Sequence, residues 1–161
     1  MASASTTLSV EKPRALPSIL WGGLLCGVFD FTAACVTWAI RAGVRPIRIG
    51  QSIASGLLGA SAYQGGWPTA ILGVALHFLI AFTATTVFYI ASRYFKFLVQ
   101  QAILSGVLYG ITVHLFMSRV VVPLSAFRRG PFSWTNFTIA IITHIICVGL
   151  PISLSVRRFS R

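Results

Sequence analysis

"IGQSIASGLLGASAYQGGWPTAILGVALHFLIAFTATTVFYIAS", residues 49–92, runs for 44 residues without a formal charge. A helix that crosses a bilayer needs roughly 20 mostly apolar residues. The run is too long for one span, so it must contain a break. "QGGWP" at 64–68 supplies it: two glycines loosen the chain, and Pro68 has the fixed φ and missing N–H that suit a first helical turn. The second half is then a span near 68–92.

Working outward, three more runs of comparable length appear. Ser18–Ile40 is 23 residues with Asp30 as its only charge, Phe97–Ser118 is 22 residues, and Gly130–Val156 is 27. They predict spans near 18–40, 97–121 and 134–156. The first half of the quoted stretch reads differently. Three arginines (Arg41, Arg45, Arg48) precede it, Pro46 stands where a helix can begin, and Ile49, Ile53 and Leu57 or Leu58 follow at helical spacing. That pattern suits a short amphipathic helix in the interface, or a re-entrant turn. A Gly/Ser-rich loop is the plainer alternative. The fold class expected is all-α: a four-span transmembrane helix bundle with a short interfacial or re-entrant helix between spans one and two. Residues 1–13 read as a disordered polar tail and 14–161 as a single membrane domain. The short "RYFK" turn at 93–96 predicts that spans two and three form a tight hairpin.

Composition agrees. The chain of 161 residues is 56% hydrophobic and 9% charged, where a soluble domain carries about a quarter charged residues. The net charge of +11 invites a nucleic-acid reading, but the 13 basic residues form no single patch and no nucleic-acid fold motif is present. They gather at span ends, as anchors facing lipid phosphates do, so the partner expected is the lipid bilayer. Four spans put both termini on one face. That face carries seven basic residues (Lys12, Arg14, Arg93, Lys96, Arg157, Arg158, Arg161) against six on the other. The small excess places the termini on the cytoplasmic side. Cys26, Cys35 and Cys147 fall within spans, which is no disulfide framework.

The titratable residues inside the spans are the candidate site. Stepping by three and four along span one gives Gly23, Cys26, Gly27, Asp30, Ala33/Ala34 and Thr37; span three gives Gly106, Gly110, His114 and Met117/Ser118. Gly23–Gly27 and Gly106–Gly110 are GxxxG pairs, which mark close helix contacts in membranes. Span two places His77 between Gly73 and Ala81, and span four places His144 between Ala140 and Cys147. Each titratable group thus lies on a small-residue face, directed at other helices. Asp30 lies ~18 Å from Ser18, and His77 and His144 each ~15 Å from Trp67 and Trp134, so the three share one level. His114, ~26 Å from Phe97, falls a turn or more nearer the other face. In an up-and-down bundle Asp30 should stand between His77 and His144.

Ionisable residues within spans are costly and mark functional sites by default. Proton-linked permeation through a small homo-oligomer is one reading of Asp30, His77, His144 and His114 as a relay. The architecture resembles small four-span multidrug exporters, which also carry one buried acid in the first span. A haem or metal held by the histidines of a membrane redox subunit is an alternative, although no HxxxH, CxxCH or ExxH spacing names one, and the cofactor stays open. A purely structural bundle, with neutral histidines joining helices, is the third. No GxSxG or HExxH is present, and no enzymatic activity is expected.

The stretches "LHFLIAFTATTVFYIASRYFKF" (76–97), "GVLYGITVHLFM" (106–117), "VVVPLSAF" (120–127) and "THIICVGLPISLSVRR" (143–158) resemble the YagU-like inner-membrane proteins of bacteria. That family has about four spans, with a histidine early in the second, one late in the third and one in the last. The resemblance covers roughly 76–158. It implies location in a bacterial inner membrane and a four-span fold, and carries no assigned activity.

Overall fold

A computed structural model describes residues 14–160, and the expected tail at 1–13 lies outside them. Among the described residues every regular element is helical. Four helices are long and apolar enough to cross a membrane: α1 (Ala15–Ala42), α3 (Gly66–Tyr94), α5 (Ala102–Leu124) and α6 (Trp134–Phe159). The chain is a multi-pass membrane protein by this criterion. Between the first two lies the shorter α2 (Pro46–Leu58), and before α5 the single turn α4 (Phe97–Gln100).

The connections follow local chemistry. Gly43 ends α1 at φ 63, where its N–H returns to the Ala39 carbonyl at 3.0 Å and the next N–H, of Val44, to the Trp38 carbonyl at 3.2 Å; a glycine takes this left-handed cap without a Cβ penalty. Pro46 opens α2 at its first position. Gly59, at φ 63 and ψ −151, closes it and turns the chain into the 3-10 segment Gly59–Gln64 that leads to α3. Pro68 sits inside the first turn of α3, which begins at Gly66.

α5 starts five residues later than the charge pattern predicts. Gln101, at φ −106 and ψ 51, interrupts the helix after α4, so the span begins at Ala102 rather than Phe97. Both α5 and α6 widen into π-helical turns, at Met117–Val121 and His144–Gly149. Each lies just before a proline, Pro123 or Pro151. A proline inside a helix lacks its N–H and crowds the carbonyl four residues back; one extra residue in the preceding turn relieves that clash.

Packing is by close backbone approach, because lipid removes any hydrophobic drive between helices. α1 lies between α3 and α6, and α6 packs on α5, so the spans form an arc in the order α3, α1, α6, α5. On the α1–α3 seam, a Cβ at Gly22 or Gly27 would press on Thr85 or Phe78, at 2.7 and 2.5 Å, and one at Gly23 would enter the Phe82 ring. On the α5–α6 seam, a Cβ at Gly110 would meet the His144 carbonyl at 2.6 Å and one at Gly106 the Ser153 hydroxyl at 2.5 Å. Gly149 returns the contact against the Gly106 carbonyl. The seam of Cys26, Ala81, Phe88, Val148, Ile152 and Val156 is the buried core.

α3 and α5 do not form the tight hairpin that the short turn predicts. α3 gives its face to α1 and α2, and its approach to α5 is carried by side chains. The Tyr109 hydroxyl donates to the Ala84 carbonyl at 2.7 Å, and its ring meets Phe88 at 4.9 Å. The physical reason is α2. Gly50 and Gly73 let its backbone rest directly on α3, at a point ~10 Å inside that helix. At its other end the Gly56 carbonyl accepts the Ala126 N–H at 2.8 Å. α2 thus bridges α3 and the loop after α5 at the end remote from the chain termini, holding the two spans apart there.

Candidate functional site

Asp30 stands on α1 at the junction of two cavities. The outer one, about 200 Å³, opens beside Trp38 and Arg41 and is lined further in by Thr37, Asn136, Thr143, His144 and Asp30. The inner one, about 120 Å³, is lined by Asp30, His144, His77, Cys26 and Met117 with apolar neighbours. Asp30 and His144 belong to both linings. The junction exists because α1 presents only small residues here: Cys26, Ala33, Ala34 and Thr37 leave room beside the carboxyl.

Each histidine is set by its backbone surroundings. The His77 ring donates through Nε2 to the Gly27 carbonyl at 2.9 Å, across the α1–α3 seam, and packs on Phe31 at 5.5 Å and Phe78 at 5.7 Å. His144 donates through Nδ1 to the carbonyl of Ala140, one turn back, at 2.8 Å. A neutral ring held this way keeps Nε2 as an acceptor. His144 also begins the π turn of α6, so the widened backbone that accommodates Pro151 also sets where the ring projects.

His114 differs from its expected place. Its ring lies 4.9 Å from the His144 ring and 5.3 Å from Phe137, centre to centre, rather than a turn nearer the loop face. The later start of α5 accounts for this: measured from Ala102 it is ~18 Å into the helix, close to the depth of the others. It is 8% exposed, and its Nε2 has no hydrogen-bond partner among the described residues. Such an orphan is uncommon in folded proteins and signals a group that acts or a water that bridges.

The structure therefore brings His77, Asp30 and His144 around one inner cavity and sets His114 directly against His144. Two members of the site, Arg41 and Asn136, are not legible as such in the sequence. Arg41 reads in the sequence as a lipid anchor, and Asn136 carries no signal there. In the structure Arg41 Nη2 donates to Asn136 Oδ1 at 3.0 Å at the mouth of the outer cavity. Cys26 and Thr37, on the small-residue stripe of span one, and Met117, on that of span three and at the start of the π turn of α5, line the cavities as well. A signal for that turn was present in Pro123.

The cofactor reading can be measured against the space. His77 and His144 share about 120 Å³, whereas cofactor sites enclose roughly 300–1,000 Å³. His77 also commits its Nε2 to Gly27. Among the described residues no three of histidine, cysteine, aspartate and glutamate converge as metal ligands do. The residues present do not fit a haem or a three-ligand metal centre. No family model matches the chain, and neither the curated proteins nor the solved structures yield a match.

Proposed function

We propose that the protein moves protons, alone or with a co-substrate, across its membrane along a path through Thr37 and Thr143, Asp30, and the His144–His114 pair. One observation carries this reading: Asp30 and His144, the two titratable groups common to both cavities, join an opening at the loop face to the middle of the bundle. Aspartate and histidine side chains inside a bundle are the material of proton relays in membranes. The unpartnered His114 Nε2 beside His144 gives the relay a further station. The role is non-catalytic. A small homo-oligomer belongs to the proposal, since the arc of spans leaves one side unclosed. So does membership of the YagU-like group, with a bacterial inner membrane as location and cytoplasmic termini.

The test uses the full chain reconstituted in vesicles that enclose a pH-sensitive dye. Wild-type protein should dissipate an imposed pH gradient faster than empty vesicles, and Asp30→Asn should return the rate to background while the protein still elutes as a folded species. A wild-type rate equal to that of empty vesicles, or an unchanged rate for Asp30→Asn, would overturn the reading.

A further inference from the structure

A hollow larger than either cavity at Asp30 adjoins the inner one, with Ile53, Ile80 and Met117 as the shared wall, and contains none of the titratable groups of the proton path. It occupies about 380 Å³ where α2 holds α3 and α5 apart, and its wall is almost wholly apolar, with Ile53, Leu57, Leu76, Ile80, Val121 and Phe127 prominent. That volume lies within the roughly 300–1,000 Å³ of small-molecule sites. On its loop-side rim, sharing Phe127, is a second recess of about 160 Å³ whose polar members are Ser55, Tyr63 and Arg128.

The rim is built rather than incidental. The Ala126 N–H bond to Gly56 ties the loop to α2, and the Phe127 N–H donates to the Ser125 hydroxyl at 3.2 Å. Arg48 Nη1 donates to the Tyr63 carbonyl at 3.0 Å and to Gln51 Oε1 at 3.2 Å, with its guanidinium 5.6 Å from the Tyr63 ring centre. These contacts fix Arg48 against Tyr63, and Tyr63 and Arg128 both line the recess at the end of the apolar trough. Asp30 is the single acidic residue among those described, and it lines the other cavities, so no carboxylate among them neutralises this end. A trough with a cationic rim at the level of the span ends has the polarity of an anionic amphiphile. A free anion would leave the apolar volume unexplained.

We propose that this groove holds one acyl chain of an anionic phospholipid, with its phosphodiester in the recess at Arg128 and Tyr63. The occupant is a structural or regulatory ligand between α2, α3 and α5, independent of whether protons move.

Native mass spectrometry of the full chain, purified in detergent and titrated with dioleoylphosphatidylglycerol or dioleoylphosphatidylcholine, tests it. Wild type should retain the anionic lipid preferentially. Arg128→Gln should lower that preference about 5-fold, the effect of one basic residue at an anionic surface. Ile53→Trp, which fills the trough, should weaken retention of both lipids. Arg93→Gln, at the opposite face, should change neither and controls for general attraction. Equal retention of the two lipids by wild type, an unchanged preference in Arg128→Gln, or an equal loss in Arg93→Gln would overturn the proposal. So would displacement of the lipid by equimolar inorganic phosphate, which would mark a free-anion site, or loss of the bound lipid whenever the chain dimerises, which would put a second copy in the groove.

Discussion

Gly149 and Gly130 show how unequal two glycines can be. The first has its missing Cβ aimed at the Gly106 carbonyl, and the second has nothing within 4 Å. Gly149→Ala should cost about 1–3 kcal/mol, the range for forcing extra atoms into a packed contact, while Gly130→Ala should stay within about 0.5 kcal/mol, as surface changes do. Thermal unfolding in detergent distinguishes them. His77 also serves the packing of the spans, because His77→Ala leaves the Gly27 carbonyl without its partner across the α1–α3 seam. Interhelical hydrogen bonds in membranes average about 0.6 kcal/mol, so a modest loss of stability is expected, with proton flux reduced far less than in Asp30→Asn. Abolished flux with full stability would instead make His77 an obligatory station.

At the scale of the element, the π turns decide more than the GxxxG pairs. Pro151 and the widened turn before it set the rotation of the His144 ring relative to His114. Pro151→Ala permits the regular helix to continue through 144–149, which rotates His144 away from its neighbour. Flux should then fall toward background while helicity by circular dichroism is retained or slightly raised; a wild-type rate would show that the ring pair is not used. The spans were legible in the sequence because a charge-free run of membrane length finds no comfortable place in water. The inward position of Asp30 and the histidines was legible because small residues repeat on the same faces. The partner of His114 was not. Gln101 carries no strong breaking signal, so the start of α5, and with it the depth of His114, could not be counted from the hydrophobic run. Nor does a short turn dictate contact between the helices it joins: the room between α3 and α5 depends on α2, whose docking rests on Gly50 and Gly73, two small residues with no pattern between them.

For the whole molecule, the arc predicts an asymmetric access of water. The terminal half is closed by the Cys26–Val156 core and the Tyr109–Ala84 bond, whereas the outer cavity at Asp30 opens in the half that bears Arg41 and the inner one ends blind against the core. In a cysteine-free background, Thr37→Cys should react with a membrane-impermeant maleimide added on the loop face, and Val156→Cys should resist it from either face. Labelling of Val156→Cys would mean that the core opens. Tags at the two ends should report the same side of the membrane; opposite sides would remove the four-span topology.

Arg41 at the mouth of the outer cavity also has an electrical meaning. A fixed guanidinium at about 5 Å, in surroundings of effective dielectric constant about 20, opposes an arriving monovalent cation by about 3 kcal/mol. Sodium and potassium are thereby discouraged, and so is a bare proton unless an anion arrives with it. Of the two modes, transport with an anionic co-substrate is therefore favoured at this entrance: proton uptake should quicken when a small permeant anion is present on the loop face and should then be insensitive to membrane voltage. Replacing Arg41 by Gln should lift the barrier and convert the protein into a slow alkali-cation leak, visible as a voltage-driven current in planar bilayers that the native chain does not pass.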